Sequence, residues 1–274
     1  MSKVVESQRT TVTTLMNTAR ERKIACLTAY TAPVAKIVDE HADLILVGDT
    51  LGMVVHGMPS TVGVTLDMMI LHGQTVMRST NKALVIVDMP FGTYETSPET
   101  AFENAKRIMQ ETGCCGVKIE AFPGADKTAK YLVERGIPVI GHIGIRPQAI
   151  NATGGFKVVG KTKESQTQLL SEAEALRRAG CFAIVLEGVP ASVSQEIVKH
   201  VDILTIGIGA SETCHGQILV TDDMLGLFDW TPKFVKRYAN LRYEIDRATR
   251  EYVQEVKDGT FPDQSHMYKA LGDK

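Results

Sequence analysis

Eight short apolar runs recur along the chain, each closing near a Gly, a Pro or an acidic residue. They are Ile24–Ala29, Leu44–Gly48, Ala83–Met89, Val117–Ala121, Val139–Gly144, Phe182–Glu187, Ile203–Gly209 and Gln217–Thr221. Most are rich in Val and Ile and lack polar alternation, as expected of parallel strands covered on both faces. Amphipathic stretches of helical period lie between several of them. Such an alternation builds either an open doubly wound sheet or a closed barrel. A count of eight favours the closed (β/α)8 TIM barrel, an α/β fold.

The helical stretches carry their own punctuation. Ser97-Pro98-Glu99 reads as a helix start, with Ser97 as N-cap and Pro98 in the first turn. Ala101, Phe102, Ala105, Ile108 and Met109 then follow the i, i+3/i+4 rhythm of a face packed on a sheet. Ser165–Ala179 and Thr231–Val256 are the other clear helices. Gly113, Gly136 and Gly180 fall where helices end before the next strand. An N-terminal capping helix is expected over about residues 10–22, and a helical extension over 231–274. No linker or repeat divides the 274 residues, so residues 1–274 read as a single barrel domain. Two connections are long, Thr50–Thr65 after the second strand and Arg146–Thr162 after the fifth. Loops that follow strands gather at the C-terminal face, where barrel enzymes carry their sites.

Composition narrows the partners. Lys plus Arg is 30 and Asp plus Glu is 32, a net charge of −2, so nothing recommends nucleic acid or a membrane surface. No apolar stretch approaches the roughly 18 residues of a membrane span. The first residues lack the apolar centre of a secretory signal. The five cysteines, with no CxxC pair, read as buried small side chains in a reducing compartment, the cytoplasm.

Polar residues collect at the ends of the strands. Asp49 closes the second (LILVGD), Asp88 the third (LVIVDMP) and Glu187 the sixth (IVLEGVP). Lys118 and Glu120 share one face of the fourth (GVKIE), and His142 lies in the fifth (VIGHIG). A charge at the end of an apolar strand costs stability unless it is paired or binds something. One such residue is ordinarily a cap or a local ion pair; six on five consecutive strands converge on one mouth of a barrel. Carboxylates with no cysteine make a hard, oxygen-rich site that suits Mg2+ better than Zn2+. Lys118 can pair with an anionic substrate group, and Glu187 can accept a proton. A metal, a base and an anion anchor together point to enolate formation beside a carbonyl.

Gly155-Phe-Lys-Val-Val-Gly160-Lys161-Thr162 fits G-x-x-x-x-G-K-[ST], the phosphate-binding P-loop pattern. A P-loop leaves its strand almost directly, whereas Pro147–Thr153 intervenes here, so the match reads as coincidence. His56, His72 and His215 have no partner at metal-site spacing and read as surface or hydrogen-bonded histidines.

The segments LILVGDTLGMVVHG, VIVDMPFGTY, GVKIE, GHIGIRPQAIN, GGFKVVGKT and VLEGVP, in this order, resemble the ketopantoate hydroxymethyltransferase family from about Thr10 to about His266. The resemblance implies a Mg2+-dependent barrel enzyme of pantothenate, and so coenzyme A, biosynthesis. It would transfer a hydroxymethyl group from 5,10-methylenetetrahydrofolate to 3-methyl-2-oxobutanoate through a Mg2+-stabilised enolate, giving 2-dehydropantoate. It also implies roles. Asp49, Asp88 and Glu120 would serve the metal. Asp49, Thr50, Asp88, Lys118 and His142 would hold the keto acid, and Glu187 would be the base. A homo-oligomer, often a decamer, is implied as well. The family's GG-aromatic-KV-x-G loop accounts for the P-loop-like string. Thr50 stands where the family usually has Ser. Ser211 and His215 stand where Gly and an acidic residue are common, in a loop expected to serve the folate side. The alternatives are a Mg2+-dependent barrel lyase or mutase acting on another 2-oxo acid, and a P-loop nucleotide binder. The former typically carries a loop cysteine; Cys114 and Cys115 precede the fourth strand, at the opposite end of the barrel.

Overall fold

The computed structural model describes residues 9–269. Its contacts divide the chain into two compact units, Met1–Thr221 and Asp222–Lys274.

The first unit contains a closed barrel of eight parallel strands in sequence order. The strands are β1 (Ile24–Thr28), β2 (Leu44–Val47), β3 (Leu84–Asp88), β4 (Gly116–Glu120), β5 (Val139–Gly144), β6 (Ala183–Glu187), β7 (Leu204–Ile208) and β8 (Gly216–Leu219). All eight lie on the apolar runs read from the sequence. The helices are α1 (Val12–Glu21), α2 (Ala32–Val38), α3 (Leu51–Val54), α4 (Leu66–Ser79), α5 (Pro98–Thr112), α6 (Ala125–Val133), α7 (Ile150–Thr153), α8 (Lys163–Arg178) and α9 (Ala191–His200). Thr221–Met224 (α10) straddles the unit boundary, and Leu241–Asp258 (α11) lies in the second unit.

Local chemistry explains several ends. Ser97 caps α5 by accepting from the Thr100 amide, and Gly113 closes the helix at φ 77°. Its lack of a Cβ makes that left-handed turn inexpensive. Thr162 and Ser165 cap α8 reciprocally, each accepting from the other's amide.

The core has two parts. Alternate strand residues, such as Leu44 and Leu46, Leu84 and Ile86, and Leu204 and Ile206, fill the barrel interior. Leu15 of α1 joins that cluster, so the N-terminal helix plugs one end of the barrel as expected. The intervening residues, including Ile45, Val85, Val117 and Val139, pack with the surrounding helices. The interior parity of β3 continues to Asp88 and that of β5 to His142. Polar residues thus form the top layer of an otherwise apolar barrel.

Within the second unit, the helix expected over Thr231–Val256 begins only at Leu241. Val235 turns back onto Pro232, and the amides of Tyr238, Leu241 and Arg242 donate to the carbonyls of Met224, Leu225 and Gly226. Those bonds replace the i to i−4 ladder that a helix needs. No residue of α11 is buried; Ile245, Tyr252, Val253 and Val256 are exposed.

Candidate active site at the barrel mouth

Strand register brings the polar residues together pairwise. Asp88 stands opposite Lys118, Glu120 opposite His142, and Gly144 opposite Glu187. Lys118 Nζ lies 3.0 Å from Asp88 Oδ1. His142 Nε2 lies 3.1 Å from Glu187 Oε2, and its Nδ1 lies 3.7 Å from Glu120 Oε1. Asp49, two residues past β2, donates its amide to Asp88 Oδ2 at 3.1 Å. That amide is therefore engaged within the protein. Thr50 begins the α3 turn, and its hydroxyl lies 3.2 Å from the Tyr30 hydroxyl. Glycine at 48 leaves room for that hydroxyl, since a Cβ there would stand 2.9 Å from Thr50 Oγ1.

Asp49, Asp88, Lys118, Glu120 and His142 are all buried, whereas the Glu187 side chain keeps 19% of its surface exposed. Burial pushes the Asp49 carboxyl up to about 7, aided by the charge of Asp88 and opposed by Lys118 and Gln148. Burial likewise raises Glu120 well above the usual carboxylate range, against the pull of Lys118. For Lys118, burial disfavours the ammonium, but Asp88, Asp49 and Glu120 outweigh it and leave its pKa raised. Burial, then Lys118, lowers the His142 imidazole, so it is neutral at physiological pH.

The mouth thus gathers four carboxylates around one ammonium and a neutral imidazole. Asp88 Oδ1 and both His142 nitrogens are buried without a well-directed hydrogen bond, despite their close charged neighbours. Buried carboxyls whose ionisation is held back by their burial, with an unsaturated oxygen among them, are the condition a divalent cation relieves. Among the described residues, no three His, Cys, Asp or Glu side chains are grouped closely enough to hold an ion by themselves. Mg2+ commonly takes only one or two carboxylates and completes its shell with water and substrate oxygens, so the donor set fits it.

Two site residues escaped the sequence reading. Gln148, buried in the loop after β5, donates from Nε2 to Asp49 Oδ2 at 2.7 Å and to Met89 O at 2.9 Å. Its backbone N–H donates to both Glu120 carboxylate oxygens at 3.3 Å. Tyr94 donates its hydroxyl to Gln148 Oε1 and accepts from the Glu120 amide at 3.1 Å. The only sequence signal is their place in DMPFGTY and RPQAIN, directly after two strand ends.

Other residues lie elsewhere. His215 binds Thr205 through Nδ1 and passes its carbonyl to the Ile24 amide, at the foot of β7, β8 and β1. Ser211 is fully buried, with its hydroxyl held by the Thr213 amide. The connection between β7 and β8 thus descends to the far end of the barrel, and His215 does not reach the mouth. Cys115 also lies at that end, donating its amide to Val85 O. His56 and His72 bind each other, Nε2 to Nε2 at 2.9 Å. The P-loop-like string does not leave a strand: a 3-10 turn (Pro147–Ala149) and α7 separate it from β5.

The profile of the ketopantoate hydroxymethyltransferase family matches residues 9–264. The chain belongs to that family. A 3-methyl-2-oxobutanoate hydroxymethyltransferase of Phenylobacterium zucineum is 60% identical over 247 residues, covering 90% of each chain. One of Hyphomonas neptunium is 54% identical over 268 residues, covering 98% of each. Among solved structures, the family's barrel is matched by an oxaloacetate acetylhydrolase in complex with oxalate, at a TM-score of 0.62, 13% identity and coverage of 94% of this chain and 89% of that one. A phosphonopyruvate hydrolase complex with oxalate and Mg2+ matches at 0.60 and 12%, over 95% and 93%. At such identities the likeness extends to the fold alone. As a member of this family the chain is an enzyme, with 3-methyl-2-oxobutanoate hydroxymethyltransferase activity.

Proposed function

We propose that the enzyme uses 5,10-methylenetetrahydrofolate as its one-carbon donor and Mg2+ as its metal, converting 3-methyl-2-oxobutanoate into 2-dehydropantoate in pantothenate supply. The observation that carries this reading is the surplus of carboxylates at one barrel mouth, with a single buried ammonium and one more exposed glutamate beside it. When bound, Mg2+ would be held by Asp49 and Asp88, with Glu120 beside them, and would polarise the ketone where negative charge develops.

The chain's own residues do the rest. Lys118 receives the substrate carboxylate, since its ammonium stays charged among the acidic groups. Thr50 offers its hydroxyl at the rim of the same pocket. Glu187 reaches the open side of the mouth and takes the proton from C3. His142, neutral and against Glu187, limits where that carboxylate can swing. The methylene carbon of the donor, opened from one of its two nitrogens as the iminium, takes the electron pair left on C3 as the new carbon–carbon bond. Its remaining carbon–nitrogen bond then breaks as water supplies the hydroxyl, and tetrahydrofolate leaves with the proton from C3 and one from water on its two nitrogens. Gln148 holds Asp49 and Glu120 in place during this sequence.

The test is folate-free exchange of the C3 hydrogen of 3-methyl-2-oxobutanoate in D2O, with and without Mg2+. Exchange should require Mg2+ and fall by at least about a hundredfold in Glu187→Gln, the usual contribution of a general base. Absence of exchange in the wild type, or full exchange in that variant, would remove the mechanism. No helix among the described residues is long and apolar enough to cross a membrane, and the cytoplasm is the proposed compartment. A homo-oligomer, with a decamer implied by the family, is proposed from the unburied α11, whose apolar side chains are exposed; light scattering in solution tests it.

A further inference from the structure

A cavity of about 400 Å3 opens above β5, outside the carboxylate mouth. Its walls are Gly144 and Ile145 at the strand end, Thr153 and Gly155, and the stretch from Lys157 to Thr162 with Ser165. Two backbone bonds tie it to the proposed base: Ile145 N donates to Glu187 O at 2.8 Å, and Val159 N to Gly188 O at 3.1 Å. Ile145, Val158 and Val159 give it apolar surface. Lys157 and Lys161 give it charge, and neither makes an ion pair or hydrogen bond among the described residues. Arg146, the third cation of the lining, is anchored on Ala121 O. The first turn of α8 is closed by its own Thr162–Ser165 cap, so the lysines and not the helix end supply the attraction.

We infer that this cavity holds the p-aminobenzoyl-glutamate end of the folate donor, with the aromatic ring on Ile145 and Val159 and the glutamate carboxylates at Lys157 and Lys161. The inference rests on the folate reading above and deepens it. Charge argues for this orientation. The donor's reactive end is a cationic iminium, which the acidic mouth attracts, whereas its tail carries carboxylates, which the same mouth repels. Carboxylates at the mouth and lysines in the cavity tied to it match the two ends of the donor in charge. The volume falls within the usual range for small-molecule sites, roughly 300–1,000 Å3. The string that imitates a P-loop then has a use: it presents its lysines to carboxylates of a folate instead of to phosphates.

The experiment compares full-length wild type with Lys157→Ala/Lys161→Ala. Three readouts are taken: folate-free C3 exchange, KM and kcat with mono- and triglutamylated 5,10-methylenetetrahydrofolate, and calorimetric binding of tetrahydrofolate triglutamate. The expected result is unchanged exchange and kcat, with the KM for the triglutamate raised about tenfold or more and that for the monoglutamate raised less. Added salt should shrink the difference, because exposed charges are screened. An unchanged KM with intact exchange overturns the inference, as does loss of exchange in the variant. Lysine-dependent binding of MgATP that competes with folate would also overturn it, in favour of a nucleotide. Absence of exchange in the wild type instead removes the enolate reading, and calorimetry then decides the cavity on its own.

Discussion

Gln148 Nε2 donates to Asp49 Oδ2 at 2.7 Å across 99 residues of sequence, joining the loop after β5 to the end of β2. The orientation of the amide is fixed, because its nitrogen faces two acceptors and its oxygen faces the Tyr94 hydroxyl. Gln148→Leu fills similar space but strands a buried carboxylate and a buried phenol. Its cost should be about 3 kcal/mol, the combined penalty of such groups left without partners. Urea unfolding measures this. Mn2+ titration of the same variant should show weaker cation binding, since Asp49 is no longer held. A variant as stable as wild type, with unchanged cation affinity, would show the amide to be incidental.

Lys118 and Asp88 form a buried ion pair between neighbouring strands at the mouth, with side chains only 7% and 3% exposed. Removing one partner of such a pair leaves a buried charge uncompensated, a loss of roughly 3–5 kcal/mol. Lys118→Met should cost more than Asp88→Asn, because Asp49 and Glu120 also lean on the ammonium. The double variant should cost less than the sum of the two, with a coupling above about 1 kcal/mol. Additive unfolding free energies would mean that the 3.0 Å contact carries no net interaction.

Gly144 closes β5 at φ 99°, and a Cβ there would stand 2.1 Å from Glu187 O. Neither the left-handed backbone nor the carbonyl can yield cheaply, since that carbonyl accepts the Ile145 amide. Gly188, at φ 58°, would meet only the flexible end of Ile145 at 2.3 Å, and Gly92, at φ 84°, would meet nothing within 4 Å. Thermal melting of the three Ala variants should therefore rank Gly144→Ala as much the worst, then Gly188→Ala, then Gly92→Ala. Gly144→Ala should also reduce exchange activity, because it displaces the backbone that carries the proposed base. Equal losses at all three positions would mean that the left-handed φ, and not the contact with Glu187, sets the cost.

The barrel was legible because a strand covered on both faces must be apolar throughout, so each of the eight runs announces itself without any knowledge of its neighbours. The six polar positions were legible for the complementary reason: Asp88 or Glu187 at the end of such a run has no local excuse. Gln148 and Tyr94 were not, since an uncharged amide and a phenol gain their roles only through partners 99 and 54 residues away. His215 is the hydrogen-bonded histidine its spacing suggested, held on Thr205, but which end of the barrel it occupies was not legible. Periodicity shows that a loop joins β7 to β8, but not that its last residue has already reached the foot of the barrel. The early start assigned to the last helix failed, because the carbonyls of 224–226 compete for the amides of 238–242.

The five cysteines allow a last prediction, on thiol chemistry. Cys26, Cys114, Cys181 and Cys214 are buried, and only Cys115 is partly exposed. Burial pushes the Cys114 thiol up to about 11 and that of Cys181 to about 12, and raises those of Cys26 and Cys214 as well. A raised thiol pKa lowers the thiolate fraction tenfold for each unit above the ambient pH, and the thiolate is the reactive form. Native enzyme treated with an aromatic disulfide reagent should therefore release about one equivalent of chromophore, and all five after denaturation. Between pH 7 and 9 the four buried thiols should stay unmodified, because even pH 9 lies below their raised values. Cys115→Ser should abolish the native signal without loss of exchange activity, since that residue lies at the end of the barrel opposite Glu187. Fast native labelling of more than one thiol would show that the barrel foot opens on the timescale of the reaction.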